Sequence, residues 1–151
     1  MNKSLQYSLA DMQGKLFELS GDAGYDSECF IKFFMTSSIA AKLDSEFDFL
    51  QWAGKEYIFE KIKEESGNYL IKNKSVYDRE TLFWIGYIYR LWNFYTNESS
   101  KSIYKKAPAQ KMNISYLNCH TMSVELAIET LQTPPKAESL KLGAYSLKLK
   151  A

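Results

Sequence analysis

Leu5, Leu9, Met12, Leu16 and Leu19 follow one another at spacings of three and four, which lines them along one face of an α-helix. The pattern predicts an amphipathic helix over residues 4–19, ended by Gly21, Asp22 and Gly24. Asp26 or Ser27 then has the side chain to cap a second helix through "ECFIKFFM". A break at "TSS" leads to a short segment, "IAAKL", after which Asp44 and Ser45 read as a fresh cap. Phe49, Leu50, Trp52, Tyr57, Ile58 and Ile62 keep a helical rhythm over residues 46–65, as two helices or as one bent at Gly54. Gly, Asn and Ser cluster in "SGNYLIKNKSVYD", no period survives there, and the stretch reads as the main internal loop.

Asp78 caps the next helix, which contains "FWIGYIYRLWNFYT", a run of fourteen residues of which seven are aromatic. At about 100° per residue, Trp84, Ile85, Ile88, Leu91, Trp92 and Tyr95 share one broad face, with Phe83, Tyr87 and Phe94 along its flank. Such a helix is apolar nearly all round and belongs in the centre of a fold. Gly86 costs about 1 kcal/mol relative to Ala in a helix interior, so it marks a notch where another element crosses closely. The remaining strip holds Leu82, Gly86, Tyr89, Arg90 and Asn93. Arg90 is either buried, and then paired, or exposed beside Tyr87 and Tyr89. Because Tyr and Arg dominate interface hot spots, an exposed strip of Tyr87, Tyr89, Arg90 and Asn93, joined by Trp52 and Tyr57 from the preceding helix, is the expected partner-binding surface.

Beyond Thr96, "NESSKSIYKKA" reads as a short capped helix stopped by Pro108, and "NISYLNCH" as a further turn or two. Ser123 caps "VELAIETL", with Glu125 in the first turn where the helix dipole favours an acid, and Pro134 and Pro135 stop it. The last sixteen residues alternate apolar and polar positions over "SLKL" and "SLKLKA", the mark of a flexible tail or of a strand made on contact with a partner. The expectation is an all-α, single-domain bundle of about six to seven helices over residues 1–132, followed by a proline-initiated tail, 133–151.

Composition narrows the function. The chain of 151 residues has a formal net charge of +1 with acids and bases intermixed, which lacks the basic footprint of phosphate-backbone binding. The alternative of a DNA-binding regulator rests on the helical segment 26–43 alone. Cys29 and Cys119 match no disulfide framework or metal-ligand spacing. The single histidine, His120, follows Cys119 directly, and neighbours on a helix point about 100° apart, a poor arrangement for a nucleophile and its base. Asp44, Glu46 and Asp48 read as a solvated helix start, and the lysines of "KKAPAQK" as a soluble surface. There is no phosphate-cradling loop, dinucleotide fingerprint or nucleophile elbow. No stretch reads as a signal peptide or membrane span. The reading is a cytoplasmic protein that is not an enzyme and uses no metal or cofactor.

Four stretches together, "MQGKLFELSGDAGYDSECFIKFFMTSSIAAKLD", "FLQWAGKEYIFEKI", "LFWIGYIYRLWNFYTNESSKSIYKKAPAQKM" and "LNCHTMSVELAIE", resemble an uncharacterised family of small bacterial helical proteins. Members of that family are encoded in short operons beside proteins with an ADP-ribosyltransferase-like domain, an arrangement similar to a toxin-antitoxin module. The resemblance covers residues 12–130. It implies that this chain is the small helical partner, an antitoxin that binds and neutralises its neighbour.

Overall fold

The computed structural model describes residues 1–45 and 48–133. These form eight α-helices: α1 (Lys3–Asp22), α2 (Ser27–Met35), α3 (Ser38–Asp44), α4 (Lys55–Ser66), α5 (Arg79–Thr96), α6 (Ser100–Lys106), α7 (Ala109–Cys119) and α8 (Val124–Gln132), with a 3₁₀ turn at Phe49–Trp52. The all-α bundle expected from the sequence is the fold. No strand occurs among the described residues, where β-pairing is limited to one bridge between Tyr25 and Lys72. The tail expected over 133–151 lies outside the described residues from 134 onward.

Capping side chains set most helix starts. Asn2, Asp26, Ser37, Ser99 and Ser123 each accept a hydrogen bond from a backbone N–H in the first turn of the helix that follows. Three boundaries differ from the sequence expectation. α1 continues through Gly21 to Asp22, because Gly21 sits directly against Leu82 of α5 and the bare backbone makes that contact possible. Asp44 ends α3 rather than starting a new helix, since its carboxylate turns inward to α5 and α6. The following start falls to Asp48, which caps the 3₁₀ turn, and to Gly54, which precedes α4 at φ 85°. α7 is a full helix of 11 residues beginning directly after Pro108, because that proline has the φ a helix start needs and no N–H to leave unpaired.

α5 lies at the centre. α1 packs antiparallel along it, α6, α7 and α8 close its other side, and α2 bridges α1 to α6 and α7. The central aromatic knot is Phe17 of α1, which meets Phe30 and Phe34 of α2 and Tyr89 of α5 edge to face, with centroids 5.6, 5.4 and 6.3 Å apart, the geometry that ring quadrupoles favour. Trp84, Ile88, Leu91 and Trp92 are buried, as the periodicity predicts. Glu98, in the turn between α5 and α6, ties three elements together. Its carboxylate pairs with Lys106 at 2.6 Å and accepts from Trp92 Nε1 at 3.1 Å and from Gln132 of α8 at 3.4 Å.

Candidate functional site

Three residues of the strip expected to face solvent, Tyr89, Arg90 and Asn93, are buried. Gly86 is the notch: a Cβ there would stand 2.6 Å from the backbone oxygen of Gln13. The missing side chain lets α1 come so close that Gln13 Nε2 donates to the Gly86 carbonyl at 2.9 Å, while Gln13 Oε1 accepts from Arg90 Nε at 2.9 Å. Arg90 is only 2% exposed. Its Nη1 donates to Asp44 Oδ1 at 2.7 Å and to Asn93 Oδ1 at 3.2 Å. Asp44 also accepts from the backbone N–H and the hydroxyl of Ser100 at 2.8 and 2.7 Å. Asn93 Nδ2 donates to the Glu98 carbonyl at 2.7 Å. Burial lowers the pKa of the Arg90 guanidinium, and the Asp44 carboxylate works against that shift. The network joins α1, α3, α5 and α6.

The expected binding surface is corrected accordingly. Arg90 and Asn93 are structural and closed to a partner, because α1 and the start of α6 cover the side of α5 that carries them. Tyr89 is also buried, and its hydroxyl donates to the Ala107 carbonyl at 2.5 Å. Loss of solvent pushes that phenol well above its ordinary pKa. Tyr87 is half-buried and stacks on Phe83. Of the six residues, Trp52 at 70% and Tyr57 at 43% exposure are the ones on the surface. They stand at the 3₁₀ turn and in the first turn of α4.

Cys119, Asp44 and Asp48, also singled out in the sequence, are committed to the fold. Cys119 is 2% exposed and burial raises its thiol pKa, whereas His120 lies outside, its ring stacked 4.3 Å from that of Tyr116 and its Nδ1 2.6 Å from the Tyr116 carbonyl. The thiol and the imidazole therefore occupy different environments. In "DSEFD", Asp44 serves Arg90 and Ser100, Asp48 caps the 3₁₀ turn, and Glu46 lies outside the described residues. Segment 26–43 does form two helices joined by Thr36 and Ser37. The second helix, however, buries Ile39, Ala40 and Leu43 and exposes Ser38, Ala41 and Lys42, which offers one cation to a phosphate backbone.

Two surfaces were not legible in the sequence. On α7, Met112 and Cys119 face the core and Tyr116 packs on Trp84, while Ile114 and Leu117, three residues apart, are 69% and 78% exposed. The i, i+3 spacing makes them neighbours on one ridge, but it has meaning only once the segment is known to be helical throughout. The second surface is a cleft of about 690 Å³ between α2, the 68–71 loop and the α6–α7 corner, lined by Asp26, Glu28, Cys29, Lys32, Tyr69 and Tyr104 among others. Its size is that of a ligand pocket. Glu28 accepts from the Tyr77 hydroxyl and from Gln110 Nε2, each at 3.3 Å. Burial raises the phenol pKa of Tyr77 and of Tyr104, and the Glu28 carboxylate adds to both shifts. Segments about forty residues apart build this cleft, so no local motif announces it.

Compared with protein-family models, curated proteins and solved structures, the chain matches none. No group of three or more metal-ligating side chains converges among the described residues. No helix among them is long and apolar enough to cross a membrane.

Proposed function

We propose that this protein is a cytoplasmic, non-enzymatic interaction module of bacterial origin. In this reading it binds and neutralises an ADP-ribosyltransferase-like toxin encoded beside it. The partner class comes from the sequence resemblance. The observation that supports a contact surface is the exposed Ile114–Leu117 ridge of α7. α7 already supplies Met112 and Cys119 to the core, so the opposite ridge adds nothing to the bundle. Its neighbours Asn113 and Asn118 are uncharged, so burying that part of the ridge desolvates no ion. Trp52 and Tyr57 are the members of the expected strip that remain open to a partner. The positions of Cys119, His120 and Asp44 favour interaction over catalysis, since the two pairings that suggested chemistry are taken apart or used by the fold.

Co-expression with the neighbouring gene product tests the reading directly: the two proteins co-purify and the toxicity of the neighbour is relieved. Burial of a Leu side chain is worth roughly 1.5–3 kcal/mol, so Leu117→Asp weakens the complex by about 10- to 100-fold or more while leaving the fold intact. If no complex forms and toxicity persists, the proposal is wrong. If the complex forms but Leu117→Asp and Ile114→Asp bind as the parent does, the partner is right and the surface is not. A salt-sensitive complex with operator DNA in place of the protein complex would instead favour a regulator built on 26–43.

A further inference from the structure

The cleft between α2 and the α6–α7 corner has an electrostatic character that the fold leaves unanswered. Asp26 caps α2 and also accepts from the Ser75 N–H, while Glu28 receives only the neutral donors Tyr77 and Gln110. A carboxylate has about four acceptor sites, and neither of these acids has a cation within salt-bridge distance among the described residues. Tyr69 and Ile71, both exposed, supply apolar wall, and Lys32 is the one cation lining it among the described residues. The cleft is shaped and charged for an extended segment carrying both lysines and apolar side chains.

We propose that its occupant is the chain's own segment 134–151. That segment contains Lys136, Lys141, Lys148 and Lys150 against a single acid, Glu138. In an extended backbone Leu140 and Leu142 fall on the face opposite Lys141, and Leu147 and Leu149 on the face opposite Lys148 and Lys150. Over residues 147–150 the leucines thus meet Tyr69 and Ile71 while the lysines meet Asp26 and Glu28. The point of departure fits as well. Lys111 Nζ donates both to the carbonyl of Leu131, at the end of α8, and to that of Lys106, at 2.8 and 3.4 Å. The chain therefore leaves α8 beside the corner whose Tyr104, Pro108 and Gln110 form one wall of the cleft. Eight residues lead from Thr133 to Lys141, roughly 26 Å of extended chain. The inference is independent of the α7 surface and of the identity of any partner.

Cys29, which lines the cleft, provides a native probe. In the full-length Ala144→Cys variant, glutathione disulfide is the oxidant. The rate at which Cys29 and the introduced thiol close into a disulfide, divided by the rate at which Cys29 reacts with glutathione disulfide, gives the effective concentration of the segment at the cleft. The disulfide is identified by peptide mapping. Docking predicts a fast intramolecular disulfide. It also predicts that reversing the segment's charge with Lys141→Glu, Lys148→Glu and Lys150→Glu lowers the effective concentration by about tenfold. Glu28→Gln, which keeps an acceptor for Tyr77, lowers it in the same direction. An effective concentration unchanged by charge reversal overturns the proposal. So does a disulfide that forms only between two molecules and scales with protein concentration.

Discussion

Replacing Asp44 with Ala removes the one anion that faces Arg90 among the described residues. The guanidinium is 2% exposed and keeps only the neutral oxygens of Gln13 and Asn93 as acceptors, and its Nη2 already has no hydrogen-bond partner among the described residues. Breaking a buried ion pair from one side costs about 3–5 kcal/mol, because the other charge is left buried and uncompensated. That is a large part of the roughly 5–15 kcal/mol by which a domain is stable. It corresponds to a fall in Tm of about 6–20 °C for a chain of this length. Urea unfolding followed by the fluorescence of the buried Trp84 and Trp92 measures the loss. A second arm separates the charge from the Ser100 hydrogen bonds that Asp44 also accepts: in an Arg90→Met background, Asp44→Ala costs at least about 1.5 kcal/mol less than in the parent. A cost below about 1 kcal/mol in the parent, or the same cost in both backgrounds, would refute the idea that Asp44 holds Arg90 in the core.

Gly86→Ala is expected to destabilise the protein by about 1–3 kcal/mol. The new methyl meets the Gln13 backbone at 2.6 Å, which outweighs the gain of about 1 kcal/mol in helix propensity. A more stable variant in the same urea assay would show that α1 yields freely. The third prediction concerns pH and Glu98. Burial acts to raise its pKa, but the hydrogen bonds from Lys106, Trp92 and Thr96 together outweigh it and leave the carboxyl below the ordinary glutamate value. A depressed folded pKa gives stability that is present above the unfolded value of about 4.3 and is lost as pH falls through the folded one. The stability difference between the parent and Glu98→Gln should therefore shrink as pH is lowered from about 6 to about 3. A difference that stays constant over that range would remove Glu98 from the acid response.

How much was legible follows the range of the interactions involved. The caps Asp26 and Ser123, the stop at Pro108 and the buried positions Trp84, Ile88, Leu91 and Trp92 of α5 are local features, set within a few residues, and the structure has them where the sequence places them, whereas Tyr95, expected on the same face, is exposed. α7 was underestimated because its apolar residues divide between core and surface, so no clean stripe marks it as a helix. Asp44 was misread for the opposite reason: it has the chemistry of a cap, but its partners Arg90 and Ser100 lie 46 and 56 residues away.

By itself the sequence determined the all-α class, the central place of the aromatic helix, the notch at Gly86 and the buried role of Trp84, Ile88, Leu91 and Trp92. It could not say which side of so apolar a helix meets water, because Tyr89, Arg90 and Asn93 suit a buried, paired network as well as an exposed contact strip. The tertiary structure made that choice by laying α1 into the notch. Once Gln13 reaches the Gly86 carbonyl, Arg90 and Asn93 are enclosed and Asp44 must follow them inward to balance the charge. Surface chemistry is left to Trp52, the α7 ridge and the cleft beside Cys29, positions set by which helices pack together and not by any residue's own preference.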